Sequence, residues 1–306
     1  MSNLIDQLPL ARFEVDRAAN LRTDPNWLEG IWNSESTRVL VLKSGNLPVT
    51  DDLSLILVKP DHLNLTAEQA SKYVSLLGIS ESKTYLAYFT NEDDLTEASW
   101  VSLRNVGSQL TSFDVGLATS ATALGAWHNN HQFCAKCGAK TLVTGAGWSR
   151  TCSVEKTEHY PRTEPAMIVA VEDEAGRILL GRRKEWAPGW FSTLAGFVEA
   201  GESVEACVVR EVFEESGIKV DRQSLRYLGS QPWPFPASLM LGYRATALTT
   251  NLKNDDDEMA EVRWFSRDEF TQACENKKLQ LPNTTTIAWH LIGHWYGQQM
   301  PTTWCR

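Results

Sequence analysis

Short apolar runs separated by polar turns are the main pattern in the first 128 residues of the chain. The runs lie at 39–42, 53–58, 85–89 and 100–103. Their length and spacing predict the strands of a small sheet. An Ala-, Leu- and Thr-rich stretch at 110–127 predicts a helix. We interpret residues 1–128 as an N-terminal α/β or mostly-β domain that carries no motif with recognisable chemistry.

A different alternation begins near residue 163. The apolar runs at 167–171 and 178–180 flank a polar turn and predict a β-hairpin. Further strands are predicted at 191–194, 238–247 and 262–265, and helices at 266–276 and 285–296. This mixture predicts an α+β chain whose last domain, residues 163–306, is a sandwich of helices on a sheet.

Residues 129–162, between these two regions, form a short polar segment that is too small to bury a core of its own. It contains Cys134-x2-Cys137 and, fourteen residues later, Cys152. The N-terminus lacks the pattern of a signal or transit peptide. In such a chain a cysteine cluster favours metal binding over disulfides. We therefore expect a reducing, cytoplasmic location.

Composition narrows the class of protein. The chain has 306 residues, of which 42% are hydrophobic and 22% charged, the mixture of an ordinary globular protein. No apolar stretch reaches the roughly 18 residues of a membrane span. The net charge of −9 disfavours a protein that holds nucleic acid by bulk electrostatics, although a bound cation would still allow an anionic substrate.

The segment 196–218, GFVEAGESVEACVVREVFEESGI, has the start and stop signals of a helix. Ser203 is suited to be the N-cap and Gly217 to be the C′ residue, which predicts a helix of about thirteen residues between them. We expect Ala206, Val209 and Phe213 to share a face that packs on the sheet.

Acidic side chains gather on another face of this helix. Glu211, Glu214 and Glu215 are spaced i, i+3 and i+4, so they repel one another unless a cation lies between them. Glu202 can add a fourth oxygen donor, and Arg210 lies one turn before Glu214. Such hard oxygen ligands suit Mg²⁺ or Mn²⁺. The alternative is an ordinary solvated acidic surface.

The full pattern resembles the Nudix box: glycine, five residues, Glu202, seven residues, then Arg-Glu-Val-Phe-Glu-Glu-Ser-Gly-Ile. The resemblance implies a Nudix α/β/α sandwich with a mixed sheet that hydrolyses a nucleoside diphosphate linked to another group. It also implies that Glu211 and Glu215 are the main metal ligands, that Glu214 is a ligand or base, and that the backbone carbonyl of Ala195 is a further ligand. A divalent ion neutralises a pyrophosphate and activates water.

A proline-rich segment follows the helix at 229–238. Three prolines in five residues disfavour an interior strand or helix, so we expect a stiff, extended loop that displays Trp233 and Phe235. By itself the segment is also consistent with an aromatic loop that fills a core. Its sequence, SQPWPFPAS, resembles the signature of the NADH pyrophosphatase, or NudC-type, subfamily of Nudix enzymes.

This second resemblance implies the substrate and the residues that contact it. The substrate would be NADH or NAD⁺, cleaved to nicotinamide mononucleotide and AMP. Rigid aromatic rings can sandwich a nicotinamide or adenine ring, and Gln231 and Ser238 can hydrogen-bond to ribose or base. The implied contacts in this segment are Gln231, Pro232, Trp233, Pro234, Phe235, Pro236, Ala237 and Ser238.

Three further positions are carried over from the same subfamily on shorter local identity. Tyr160 and Ala288 match substrate contacts, and Glu261 matches a glutamate that completes the metal site. Glu258 competes with Glu261 for that role. By the same resemblance the enzyme would be a homodimer.

The cysteine segment resembles the zinc ribbon of this subfamily, with one departure. Where the fourth cysteine is expected, near position 155, this chain has Glu155. A structural zinc requires four ligands, so Cys134, Cys137 and Cys152 need a partner. The open alternatives for the fourth ligand are Glu155, His159, His128 and His131. A ribbon without metal, held by packing of Trp148 and Phe133, is the other interpretation.

Three functions are consistent with these motifs. The first is NAD(H) diphosphatase activity, and the second is removal of a 5′ NAD cap from RNA, which breaks the same bond in a larger substrate. The third is non-catalytic nucleotide binding on a Nudix fold. Such proteins usually lose a metal-binding carboxylate, whereas every glutamate of the box is present here.

Overall fold

The computed structural model describes residues 4–24, 26–92, 95, 98–253 and 258–305. The chain divides into two compact units. The C-terminal unit comprises Met1–Ala11, Glu164–Pro232 and Ser238–Arg306, and the N-terminal unit comprises Arg12–Thr163 and Trp233–Ala237. Two short segments therefore group differently from the three predicted domains, 1–128, 129–162 and 163–306, whose boundaries stay predictions.

The N-terminal unit contains a four-stranded sheet in the order β3-β1-β5-β4, a long helix and several short elements. Its strands are β1 (Thr37–Lys43), β2 (Leu47–Val49), β3 (Leu57–Val58), β4 (Val74–Ser80), β5 (Lys83–Thr90), β6 (Ser99–Val101), β7 (Thr141–Thr144), β8 (Ser149–Cys152) and β9 (Glu158–His159). Its helices are α1 (Trp27–Trp32), α2 (Ala67–Ala70), α3 (Leu103–Val106) and α4 (Ser112–Asn130). The predicted long helix is confirmed as α4, whereas the apolar run at 53–58 forms only the two-residue strand β3.

The cysteine segment folds as a small antiparallel sheet in the order β7-β8-β9. Thr141 lies opposite Cys152 in this sheet, and Arg150 lies opposite His159. The sheet provides the backbone that fixes Cys152, as a zinc ribbon requires.

The C-terminal unit is built on one mixed sheet in the order β13-β14-β10-β11-β15, with β12 paired to β10. Its strands are β10 (Glu164–Glu172), β11 (Ile178–Arg183), β12 (Leu194–Phe197), β13 (Val220–Trp233), β14 (Ser238–Ala247) and β15 (Met259–Phe265). Its helices are α5 (Val204–Ser216), α6 (Arg267–Glu275) and α7 (Ile287–Tyr296). The predicted hairpin is confirmed as β10 and β11, which pair antiparallel.

Both faces of this sheet are buried. On β10, Met167 and Val169 join the core on the α5 side, whereas Ile168 and Ala170 join the core that contains α6 and α7. Successive side chains of a strand point to opposite faces, so an uninterrupted apolar run is what a two-sided sandwich needs. The predicted α/β/α sandwich with a mixed sheet is confirmed.

Two predicted boundaries were wrong. The strand predicted at 191–194 instead begins at Leu194 and continues to Phe197. The extended loop at 229–238 is instead the end of β13 and a tight turn at 234–237, with a cis peptide bond between Phe235 and Pro236. β13 tolerates Pro232 because it lies at the edge of its sheet, where a missing N–H need not break a ladder.

Residues 4–11 complete the C-terminal unit from the far end of the chain. Leu4 and Leu8 are buried in the core that contains α7. The Leu4 N–H donates to the Leu228 carbonyl at 3.0 Å, and the Leu10 N–H donates to Gln231 Oε1 at 3.2 Å. Residues 4–11 are therefore a packed part of the C-terminal unit.

Replacing Leu8 with alanine should destabilise the C-terminal unit by about 2–5 kcal/mol, because Leu8 is fully buried and its removal leaves a cavity. Urea unfolding followed by tryptophan fluorescence measures the change. Leu248→Ala removes the same atoms from an exposed position and should change stability by less than about 0.5 kcal/mol. Equal midpoints for the two variants would contradict the burial of this segment.

None of the helices in the described part of the chain combines the length and the apolar character needed to cross a bilayer.

Candidate active site

The acidic helix α5 is fixed at both ends by the residues that the sequence indicated. Ser203 Oγ accepts a hydrogen bond from the Ala206 N–H at 3.2 Å, and Gly217 adopts the left-handed conformation with φ of 72°. Both terminal signals are confirmed, and α5 has thirteen residues. A cap at each end sets the register in which the glutamates face the rest of the unit.

The predicted packing face of α5 was only partly correct, because Val209 packs against the core on this side but Phe213 does not. Cys207, Val208 and Val212 are buried against the sheet, whereas Phe213 is exposed. The fully buried positions 207, 208 and 212 each lie one residue away from a predicted position. Because Glu211 and Glu215 follow Cys207 and Val208 on that side, the shift brings both carboxylates to the sheet rather than to open solvent.

Glu211 lies directly on the backbone of β12. A Cβ atom built on Gly196 would be 2.0 Å from Glu211 Cδ and 2.2 Å from its Oε1, so a larger residue at position 196 would displace this carboxylate. This contact places the carboxylate beside the residue that precedes Gly196, which is Ala195. The first glycine of the box is therefore required by the position of a glutamate fifteen residues later.

Arg210 is the cation that the acidic cluster requires. Its Nε and Nη2 donate to Glu202 at 2.9 and 2.8 Å, and its Nη1 donates to Glu211 at 2.8 Å and to Glu214 at 3.0 Å. Nη2 also donates to the Phe197 carbonyl at 3.1 Å. These hydrogen bonds lower the pKa of Glu202 to about 2 and raise the pKa of Arg210 above its ordinary value. The predicted link between Arg210 and Glu214 is confirmed.

Glu215 differs from its neighbours because it is buried, with 4% of its surface exposed. Arg183 Nη2 lies 3.7 Å from Glu215 Oε1 and donates to the Ala195 carbonyl at 3.3 Å. Arg183 thus connects two of the predicted metal ligands. No motif in the sequence predicts a role for Arg183. The one local indication is a pair of arginines at the end of strand β11. Glu214, by contrast, is largely exposed.

The register of β15 separates Glu261 from this cluster. Val262 and Trp264 join the core on the α5 side, so Glu261 and Arg263 point to the face that carries α6. Glu258 competes with Glu261 for the role of metal ligand. Its backbone carbonyl accepts a hydrogen bond from the Lys184 N–H at 3.1 Å. The glutamate that completes the Mg²⁺ or Mn²⁺ site therefore stays a prediction, and the register of β15 argues against Glu261.

Gln231 has a position that sequence reasoning did not foresee. It is fully buried, and besides the bond from Leu10 it donates from Nε2 to the Thr285 carbonyl at 3.0 Å. Both ends of its amide are therefore occupied by backbone groups. In this arrangement Gln231 joins three distant segments and does not present its amide to a substrate.

Trp233 and Phe235, at the turn after β13, group with the N-terminal unit. Trp233 and Phe235 meet edge to face, with ring centroids 4.9 Å apart, and Arg104 lies over the Trp233 ring at 5.4 Å. Pro234, Phe235 and Pro236 line a cavity of about 480 Å³. Pro232 and Ser238 belong to the flanking strands, and Ala237 completes the turn.

The two remaining predicted contacts have opposite exposures. Tyr160 is exposed and donates its hydroxyl hydrogen to Glu158 at 2.6 Å. Ala288 is buried near the start of α7, so its side chain belongs to the core. Their roles as substrate contacts stay predictions.

The cysteines of the small sheet form a compact thiol cluster. Among the described residues, Cys134, Cys137 and Cys152 are the one group of three potential metal ligands whose ligand atoms all lie within 4.8 Å of one another. The Glu155 N–H donates to Cys152 Sγ at 3.3 Å. This hydrogen bond is the main cause that lowers the pKa of Cys152 to about 7. The Glu155 carboxylate pairs with Lys136 at 2.5 Å. The three thiols could supply three of the four ligands of a structural zinc, and the fourth must come from another residue.

Of the other candidates for that fourth ligand, His128 has both ring nitrogens occupied. Its Nδ1 lies 3.0 Å from Arg150 Nη1 and its Nε2 lies 2.9 Å from the Gly147 carbonyl. His131 Nδ1 lies 3.2 Å from the Trp127 carbonyl, so only its Nε2 could bind a metal. Glu155, His159 and His131 stay candidates.

The metal-free alternative is weakened because Trp148 is only half-buried and Phe133 is exposed. Trp148 donates to the Leu76 carbonyl at 2.6 Å, but Phe133 is exposed.

Comparison with known proteins matches two domain families in this chain. Residues 162–289 match the NUDIX domain, and residues 129–160 match the NADH pyrophosphatase zinc ribbon domain. The NAD-capped RNA hydrolase NudC of Mycobacterium bovis is 36% identical over 302 residues, covering 94% of each chain. The human NAD-capped RNA hydrolase NUDT12 is 39% identical over 199 residues, covering 61% of this chain and 43% of that protein.

A solved NUDIX hydrolase structure from Nitrosomonas europaea is 25% identical, covers 45% of this chain and 79% of that chain, and has a TM-score of 0.39. The likeness to the mycobacterial relative extends over nearly the full length of both proteins. It includes the region of the box, the thiol segment and the proline-rich turn. The chain therefore belongs to the NudC-type Nudix hydrolases, in which an NADH pyrophosphatase zinc ribbon domain precedes the Nudix domain.

Proposed function

We propose that this enzyme hydrolyses the pyrophosphate of NADH and NAD⁺ to nicotinamide mononucleotide and AMP. In this reaction the oxygen of water bonds to one phosphorus while the bond from that phosphorus to the bridging oxygen breaks. The observation that carries the proposal is the grouping of Glu211, Glu215 and the Ala195 carbonyl beside Arg183, within a NudC-type chain.

The donors in this group are carboxylate and carbonyl oxygens, the hard ligands that Mg²⁺ and Mn²⁺ prefer. When bound, such an ion supplies Lewis acidity and neutralises phosphate charge. Arg210 holds Glu202, Glu211 and Glu214 in fixed orientations, so their positions are set before substrate arrives. Glu214 is the exposed member of the cluster and is suited to accept a proton from attacking water.

Exposed aromatic rings offer surfaces for the two rings of the dinucleotide. Phe197 is 57% exposed at the end of β12, two residues from Ala195. Its backbone carbonyl accepts a hydrogen bond from Arg210, the same guanidinium that binds the carboxylates, so the backbone of Phe197 lies beside that cluster. We assign Phe197 to stack on a nicotinamide or adenine ring. Trp233 and Phe235 of the proline-rich turn stay predicted substrate contacts.

A second substrate is RNA that carries a 5′ NAD cap, because the relatives at 36% and 39% identity are named as NAD-capped RNA hydrolases. The bond broken is the same in both substrates. Measurement of kcat/KM for NADH, NAD⁺ and a short NAD-capped RNA under one set of conditions separates the two roles. We expect cleavage of all three, with no large gain from the RNA body, because the chain carries a net charge of −9. Absence of AMP from NADH and NAD⁺ would refute the diphosphatase proposal.

We propose that the thiol cluster binds a structural zinc, with Glu155, His159 or His131 as the fourth ligand. Elemental analysis of protein purified without chelator should give close to one zinc per chain, and Cys152→Ser should lower it below about 0.2, because loss of one ligand leaves the site incomplete. Cys305→Ser changes a cysteine of the other unit and should leave the zinc content unchanged. A wild-type content below about 0.2 would count against zinc.

The homodimer implied by the family resemblance is also part of this proposal. Light scattering coupled to size-exclusion chromatography tests it directly, with an expected mass of twice 34.3 kDa. A single 34.3 kDa species that retains full activity would overturn it.

A further inference from the structure

Arg150 of β8 is a buried arginine far from the box in sequence. Only 9% of its surface is exposed. Its Nε donates to Thr141 Oγ1 at 2.7 Å, its Nη2 to the Thr141 carbonyl at 3.0 Å, and its Nη1 lies 3.0 Å from His128 Nδ1. Within the described residues no carboxylate pairs with this guanidinium, and three of its five N–H groups have protein acceptors.

His128 does not compensate the charge of Arg150. Its Nδ1 faces the guanidinium and its Nε2 lies 2.9 Å from the Gly147 carbonyl, which together require the neutral tautomer with the proton on Nε2. Burial, and then the nearby Arg150, lower the pKa of His128 to about 4. A buried cation without a counterion is costly unless an anion or solvent reaches it.

Arg150 lines a cavity of about 540 Å³ that lies entirely within the N-terminal unit. Lys72 contributes a second positive charge to the lining, and Glu92, which is exposed, contributes the one acidic side chain named among the lining residues. The rest of the lining includes the amides Asn91, Asn129 and Gln132 and the aromatic rings Tyr73, Tyr88 and Phe89, together with His128, a threonine and two valines. The volume is within the range of small-molecule sites.

We propose that this cavity binds a mononucleotide, a nucleoside 5′-monophosphate, at a site separate from the carboxylates of α5. The phosphate is held by Arg150 and Lys72, since a guanidinium with two remaining N–H groups can bind phosphate oxygens in a bidentate manner. The amides and the aromatic walls receive the ribose and the base. No residue of this site belongs to the box.

The cavity also has a neighbour that connects it with the proline-rich turn. It shares Phe89, Thr90, Asn91 and Asn129 with the 480 Å³ cavity lined by Pro234, Phe235 and Pro236. Both cavities lie in the N-terminal unit. A ligand in the 540 Å³ cavity would therefore contact side chains that also line the 480 Å³ cavity beside the proline-rich turn.

Isothermal titration of the full chain with AMP, inorganic phosphate and adenosine tests the proposal. Glu215→Gln is the reference variant, because it changes the carboxylate site of α5 without changing the lining of this cavity. We expect AMP binding to persist in Glu215→Gln, to weaken about tenfold in Lys72→Glu and to be lost in Arg150→Gln. Lys83→Ala, in the same unit but outside the cavity lining, is the matched control and should bind like wild type.

The probes separate the sources of binding. Binding of phosphate and of AMP, but not of adenosine, supports the proposal, and hydrogen exchange should show AMP protecting segments 72–75 and 128–132. Lys72 is exposed, so Lys72→Glu keeps the test valid if Arg150→Gln fails to fold. An unchanged AMP affinity in Lys72→Glu, or protection confined to α5, would overturn the proposal. Adenosine binding as tight as AMP would do the same.

Discussion

Glu215→Gln should lower the release of AMP from NADH by about 10²-fold or more, in the presence of Mg²⁺ or Mn²⁺. Glu215 is the buried carboxylate of α5 and the one beside Arg183, 3.7 Å away. Glutamine keeps its size and removes its charge, so the packing of α5 survives while an anionic oxygen ligand is lost. Chromatographic quantification of AMP at saturating NADH measures the effect.

A control for this substitution lies on the same helix. Glu205 is exposed, lies in the first turn of α5, and is outside the cluster bound by Arg210. Glu205→Gln should retain wild-type activity. If Glu215→Gln and the wild type release AMP at the same rate, the catalytic assignment is wrong and non-catalytic nucleotide binding becomes the better interpretation.

Arg210→Lys should lower kcat/KM for NADH by about 10- to 100-fold, the usual cost of losing a group that orients metal ligands. Arg210 contacts Glu202, Glu211 and Glu214 through three different nitrogens of one planar group. A lysine ammonium is a single point charge and cannot hold three carboxylates in that geometry. Initial rates measured across a Mg²⁺ titration test this prediction.

The matched control for Arg210→Lys is Arg222→Lys, an exposed arginine in β13. It should leave the rates unchanged. A wild-type Mg²⁺ profile in Arg210→Lys would show that the carboxylates do not depend on this guanidinium for their orientation.

Local signals predicted the helix of the site accurately, whereas its packing needed the sheet. Ser203 and Gly217 define the ends of α5 by short-range backbone chemistry, which a sequence displays directly. The buried stripe does not follow from the helix alone, because apolar residues lie on more than half of its surface. The choice of Val208 and Val212 over Phe213 depends on the sheet that α5 covers.

Partners distant in sequence account for most of what could not be predicted. Gln231 resembled a substrate contact, but its amide binds backbone groups of residues 10 and 285. Arg183 reaches Glu215 and Ala195 only after β11 and β12 are in place. Glu261 matched a metal ligand by position, yet the register of β15 directs it to the opposite face. No local pattern encodes any of these pairings.

The position of residues 4–11 in the C-terminal unit has a consequence for synthesis on the ribosome. Leu10 and Gln231 are 221 positions apart, so residues 4–11 emerge from the ribosome long before their binding partner is translated. Leu4 and Leu8 must stay in contact with water during that interval. Closure of this unit is thereby postponed until late in translation, after residues 12–163 have all left the exit tunnel.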